Sequence, residues 1–215
     1  MGGKFNRNDT LTGVCNSALA MVGETRFIED VESEDNDLSV ILRMLAEQVC
    51  REVQSHEFAV WDELIEDVEL VKRREDSETG GEFEGVREFN LPFQIISPVE
   101  CYTPEESGVR RRVPYEIYGG YLHCRVGGKV RLRYVRYSFN PAEWGTELRA
   151  CVIKLLAARI LAAIVKNFKD AQTMEQQFWT TDFTMWAVSK RNKAMRGNTV
   201  GDDEVLSRFY EGCCE

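Results

Sequence analysis

Apolar residues return every three or four positions in four stretches of this chain, and close to every second position in the stretch between the second and third. The first helical stretch is "NDTLTGVCNSALAMVG", with Leu11, Val14, Cys15, Ala18, Leu19 and Val22 on one side. Asp9 or Thr10 supplies a cap, and Gly23 a stop. The acidic connection "ETRFIEDVESED" leads to "NDLSVILRMLAEQVCREVQSH", where Leu38, Ile41, Leu42, Leu45, Val49 and Val53 predict one apolar face. Pro141 is expected to open a third helix of about 25 residues ending near Asn167, at the proline-favoured first position. Trp144, Leu148 and Val152 lead there into "LLAARILAAI", residues 155–164, nine of whose ten residues are apolar. A helix apolar on nearly every side is an internal strut, and its alanines at 157, 158, 162 and 163 let neighbours approach closely. The fourth stretch, residues 170–197, carries Phe178, Trp179, Phe183, Trp186 and Met195. Its linker "NFKD" is short enough to predict an antiparallel hairpin with the third helix.

The middle of the chain reads as strands. "ELIEDVELV" and "GVREFNLP" flank a polar tip and predict a hairpin. "PYEIYGGYLHCRVGGKVRLRYVRY" predicts three runs joined as a meander at Gly119-Gly120 and Gly127-Gly128. In its last run Val130, Leu132 and Tyr134 alternate with Arg131 and Arg133, giving one apolar and one basic face. The predicted fold is α+β: a four-helix bundle from the N- and C-terminal parts with a central antiparallel β insertion. The boundaries expected are 1–57 for the first two helices, 58–138 for the β insertion, 139–197 for the helical hairpin and 198–215 for a tail.

Charge sharpens this picture. The chain carries a formal net charge of -9, but residues 24–84 hold 20 acidic and 6 basic side chains, and residues 109–136 hold 8 basic and 1 acidic. Opposite faces of this kind attract between copies and favour head-to-tail association. Arg110, Arg111, Arg112, Arg131 and Arg133 are therefore candidates for a subunit or partner interface. The same basic strand, with Tyr121, Tyr134 and Tyr137, has the residue types of a nucleic-acid face, although the acidic chain disfavours it.

No residue pattern predicts an enzyme. "VGGKV" lacks the remainder of a phosphate loop, and "SHEFAVW" is not H-E-x-x-H. With two histidines and seven cysteines in no C-x-x-C pair, no metal or other cofactor is expected, and the thiols read as reduced. No stretch reads as a membrane span or a secretory signal.

Several phrases, in order, resemble a family. "CNSALAMVGETRFIEDVESEDNDLSVILRMLAEQVCREVQSHEF" is similar to the opening of tail tubular protein A, the head-to-tail adaptor of short-tailed bacteriophages. Asn16, Leu19 or Ala20, and Gly23 match its N-x-x-L-x-x-x-G phrase, and Arg51 to Ser55 its following helix end. "HEFAVW" has Trp61 displaced from the family's G-W-x-F-N, and "FNLPFQ" keeps Leu91 and Pro92 without the family's Asp. "YEIYGGYLHC" and "NPAEWGTELRACVIKLLAARIL" then follow in the family's order, so the resemblance covers about residues 10–197.

The resemblance implies a structural virion protein of the phage tail, made in the host cytoplasm. Twelve copies would form a ring joining the portal to the tail nozzle, with genomic DNA passing through and tail fibres possible partners. It also directs the tail to the portal. Val205, Leu206, Phe209 and Tyr210, four apolar residues in an acidic tail, are the candidate portal-binding anchors. The head-completion connector of long-tailed phages and a nucleic-acid-binding module are the competing readings.

Overall fold

Thr10 starts the first helix because its hydroxyl accepts the Gly13 N–H (3.1 Å), satisfying one of the donors a helix start leaves unpaired. Helix α1, Leu11–Met21, stops at Gly23, whose φ of 74° is the left-handed conformation a glycine adopts freely. There the Gly23 and Glu24 N–H groups turn back onto the carbonyls of Ala20 and Leu19. The computed structural model describes residues 10–56, 59–73, 86–105, 109–126 and 128–187. The chain is α+β, with antiparallel sheets, and it divides into two compact units. One runs up to Glu63 and resumes at Phe139; the other is Leu64–Ser138.

In the first unit, helices α2 (Asp37–Gln54), α3 (Thr146–Ala163) and α4 (Phe168–Gln177) join α1. Helix α3 packs against each of the other three. Its Leu148, Cys151, Val152, Leu155, Leu156, Ala157 and Ile160 are fully buried. Each Leu or Ile so placed contributes roughly 1.5–3 kcal/mol. Ala157 and Ala158 are enclosed as expected, whereas Ala162 is half-buried and Ala163 exposed. Arg159, the one charge in the apolar run, reaches Glu52 of α2 (3.1 Å) and Glu175 of α4 (2.9 Å). Lys154 pairs with Asp182 (2.9 Å). Pairing 154 with 182 and 159 with 175 makes the α3–α4 hairpin antiparallel.

Three helical expectations need correction. Pro141 does not open a 25-residue helix: it begins a single 3-10 turn, Pro141–Glu143, capped by Asn140. Trp144 and Gly145 then turn extended, and the Gly145 N–H donates to Glu63 Oε1 (2.9 Å). A side chain at Gly145 would collide with that carboxylate. On α2 the buried face is rotated from the expected one. Leu42, Ala46, Val49, Cys50 and Val53 are buried, and Ile41 is exposed beside Val40 and Met44. Small Ala46 and Cys50 let the neighbouring helix close in on that side. The fourth helix is not uniform either. Phe178–Asp182 form a π turn in which the Phe183 N–H reaches the Phe178 carbonyl. The extra residue brings Phe183 back over Phe178, so both are buried five positions apart. His56, Trp61 and Trp179 pack around them. Buried Trp61 donates its indole N–H to the Val53 carbonyl (3.3 Å).

The second unit holds two antiparallel sheets. Strands β1 (Ile65–Glu69), β3 (Ile95–Pro104), β4 (Arg110–Arg112) and β7 (Arg131–Arg136) form one, in the order β1-β7-β3-β4. Strands β2 (Arg87–Asn90), β5 (Tyr115–Tyr118) and β6 (Tyr121–Cys124) form the other, in the order β2-β6-β5. Gly119 and Gly120, both at positive φ, make the tight β5–β6 turn the sequence predicts. The expected third member of that meander belongs to the other sheet: β7 pairs with β1 and β3. Likewise β1 does not form a hairpin with β2. Only its continuation does, through Val71–Arg73 against Glu88–Asn90. The tip between them lies outside the described residues. Pro98 is tolerated within central β3 because the register shifts there, where a missing N–H breaks no regular ladder bond. Leu70, Phe89, Cys101, Val113, Leu122, Leu132 and Tyr134 are among the core residues of this unit.

Candidate functional site

Strand register puts the charged residues of the larger sheet in two rows. Asp67, Arg133 and Glu100 lie side by side on β1, β7 and β3, and Glu69, Arg131, Tyr102 and Arg112 make the next row. Successive side chains alternate between faces, so these residues share the face opposite Leu132 and Cys101. Acidic and basic groups alternate across the rows and pair. Arg131 Nε donates to Asp67 Oδ1 (2.9 Å), and Arg110 stands 4.0 Å from the same carboxylate. The Tyr102 hydroxyl donates to Asp67 Oδ2 (2.6 Å). Glu100, 8% exposed, takes Arg112 at 3.0 Å and Arg133 at 3.5 Å. Lys129 reaches Glu69 (3.4 Å).

Partial burial alone would raise the Asp67 carboxyl. The hydrogen bonds from Tyr102 and Arg131, with the charges of Arg131 and Arg110, outweigh it and hold the group below its ordinary value. On the opposite face Tyr134 donates to Glu66 (2.8 Å), and burial first, then that carboxylate, push its phenol up to about 12.

Of the five arginines that sequence reasoning singled out, Arg110, Arg112, Arg131 and Arg133 are thus brought together, and each meets a carboxylate of its own unit. Arg111 is exposed and makes no ion pair among the described residues. The apolar residues Val205, Leu206, Phe209 and Tyr210 lie outside the described residues.

A groove of about 920 Å³ opens beside this face, where β4 ends one sheet and β5 the other. Val113, Tyr115, Cys124 and Val126 line it, with exposed Arg111 and Arg125. Nearby, Tyr118 stacks flat on buried His123, their rings 3.6 Å apart. The sequence reading missed this groove, because its walls come from strands of different sheets. The available signal was Pro114, which lies between β4 and β5 where the chain passes from one sheet to the other.

The phrase Asn16, Leu19, Gly23 has a physical reading in the helical unit. The Asn16 amide donates to the Ile28 carbonyl (2.8 Å) and accepts the Ile28 N–H (3.0 Å), as a β-bridge would. Leu19 is buried and Gly23 closes the helix. Thr12 accepts the N–H of buried Val31 (3.0 Å). Together they pin the acidic connection to α1.

Cys15, Cys50, Cys101, Cys124 and Cys151 are buried, and burial raises every one of these thiols, Cys15 and Cys101 to about 12. Such thiols stay protonated and unreactive. Among the described residues no group of three or more His, Cys, Asp or Glu is placed to hold a metal ion. No described helix is long and apolar enough to cross a membrane. No protein-family model matches the chain, and no curated protein matches it.

Proposed function

We propose that this chain is a structural virion protein, an adaptor subunit of the tail tubular protein A kind. Its helices form a four-helix bundle with the β unit as a central insertion, and some twelve copies form a ring between portal and tail nozzle. Genomic DNA passes through the lumen without sequence-specific contact, and tail fibres are candidate further partners. The anchors on the portal are Val205, Leu206, Phe209 and Tyr210. The observation that carries this reading is the use made of the family-like phrase. Asn16 and Gly23 hold a loop in place, and Trp61 is tied to the Val53 carbonyl at the helix end that follows. These residues do structural work and present no reactive group. The pairing of Arg110, Arg112, Arg131 and Arg133 with carboxylates weighs against the nucleic-acid reading, since a phosphate would have to displace them.

Electron microscopy of the purified protein mixed with the portal of the same phage tests the proposal. Ring-shaped complexes are expected with the full chain. A variant lacking residues 198–215 is expected to keep its thermal stability and lose portal binding. Absence of any portal complex at both low and high salt would overturn the adaptor reading.

A further inference from the structure

Phe27 stands 61% exposed on a loop that is otherwise firmly held. The next residue, Ile28, is buried, with its backbone clamped on both sides by Asn16. Glu34 folds back to accept the N–H groups of Glu29 (2.8 Å) and Asp30 (3.0 Å), and Arg43 donates to the Glu32 carbonyl (2.9 Å). The aromatic side chain therefore projects from a fixed frame. Residues 24–37 of that frame contain seven carboxylates and one arginine.

The groove of the β unit is complementary in shape and in sign. Its floor is apolar (Val113, Tyr115, Val126), its volume of about 920 Å³ accommodates an aromatic ring, and exposed Arg111, Arg112 and Arg125 border it and outnumber the carboxylate of Glu116. Both walls are sheet edges, which leaves the mouth open along β4 and β5.

We propose that Phe27 of one copy inserts into the β-unit groove of a second copy, with its acidic loop against Arg111 and Arg125. A loop backbone already held in place has little left to order on docking, and the opposite charges speed encounter and set orientation. Knob and groove are different surfaces, so the contact is heterologous. Each copy offers both halves, and association continues until a ring closes or a filament grows. The inference rests on the adaptor reading only for ring closure.

The test replaces Phe27 with the photo-cross-linker benzoylphenylalanine in the full chain. Isotopically light and heavy preparations are mixed at low salt, irradiated and digested for mass spectrometry. Mixed light–heavy pairs joining position 27 to residues 111–126 are expected. Arg111→Glu with Arg125→Glu should lower their yield about tenfold or more, because like charges then face each other. Arg111→Lys with Arg125→Lys should keep the yield, and circular dichroism checks that both variants fold. Cross-links confined to one copy, cross-links mapping elsewhere, or none at all would overturn the contact. Rings on the portal without these cross-links overturn the contact alone. Cross-links without any portal complex overturn the adaptor reading alone.

Discussion

The two units hold themselves together by different means. In the helical unit, α3 buries Leu148, Leu155, Leu156 and Ile160 completely, and its polar contacts, Arg159 to Glu52 and Glu175, sit at the margin. In the β unit one face of the larger sheet supplies apolar residues to the core, with Glu66 bonded to Tyr134 there, and the other is a lattice of carboxylates and guanidiniums centred on Asp67 and Glu100. Apolar burial responds little to salt or moderate pH, whereas charge pairing responds to both. The helical unit should therefore tolerate changes of solution that loosen the β unit.

The largest expected effect is in the helical unit. Ile160→Asp forces a carboxylate into a fully enclosed position, at a cost of several kcal/mol, comparable with a domain's whole stability. Soluble expression should be lost, and Leu156→Asp should behave alike. An Ile160→Asp protein with unchanged melting temperature would remove α3 as the strut.

A smaller loss is expected in the β unit from Glu100→Ala. It removes a carboxylate from Arg133, whose side chain is 17% exposed, and from Arg112. About 2 kcal/mol is expected, less than for a fully buried pair because both arginines keep some water. Urea unfolding measures it, and raised salt should shrink the difference between parent and variant. Equal midpoints would reduce the lattice to a surface ornament.

Smallest is the contribution of Asp67. Its folded carboxyl lies below its ordinary value of 3.8, so its stabilisation is fully present above that value and is lost as pH falls through the folded one. Asp67→Asn should cost about 1–2 kcal/mol near neutral pH, the scale of charge-assisted hydrogen bonds. The gap should close in strong acid. A gap that stays constant with pH would mean that shape, and not charge, matters at this position.

The same contrast governs what the sequence discloses. The ends of α1 and the β5–β6 turn are legible because Thr10, Gly23 and Gly119-Gly120 act locally through hydrogen bonds and φ. The apolar run 155–164 also declares its burial. Sheet membership does not show, because Leu132 and Leu122 alternate alike although β7 and β6 belong to different sheets. The basic stripe at 110–112 and 131–133 is visible as composition. Its partners Asp67 and Glu100 lie more than 30 residues from Arg131 and Arg133, and only register brings them near. The rotation of the α2 face turns on Ala46 and Cys50, which hydropathy weights below Ile41. The groove is least legible of all, being a space between edges.

The π turn at Phe178–Asp182 is a counting device. An α-helix advances about 100° per residue, so a one-residue surplus keeps Phe183 and Ala187 in phase with Phe178 only while it is held in that turn. A chain one residue shorter between Trp179 and Asp182 would relax to plain α-helix without losing phase, and its aromatic cluster would survive. A chain one residue longer has no second bulge to absorb the error and would swing Phe183 toward water. The segment is thus tolerant of deletion and intolerant of insertion, an asymmetry of length that no single substitution would reveal.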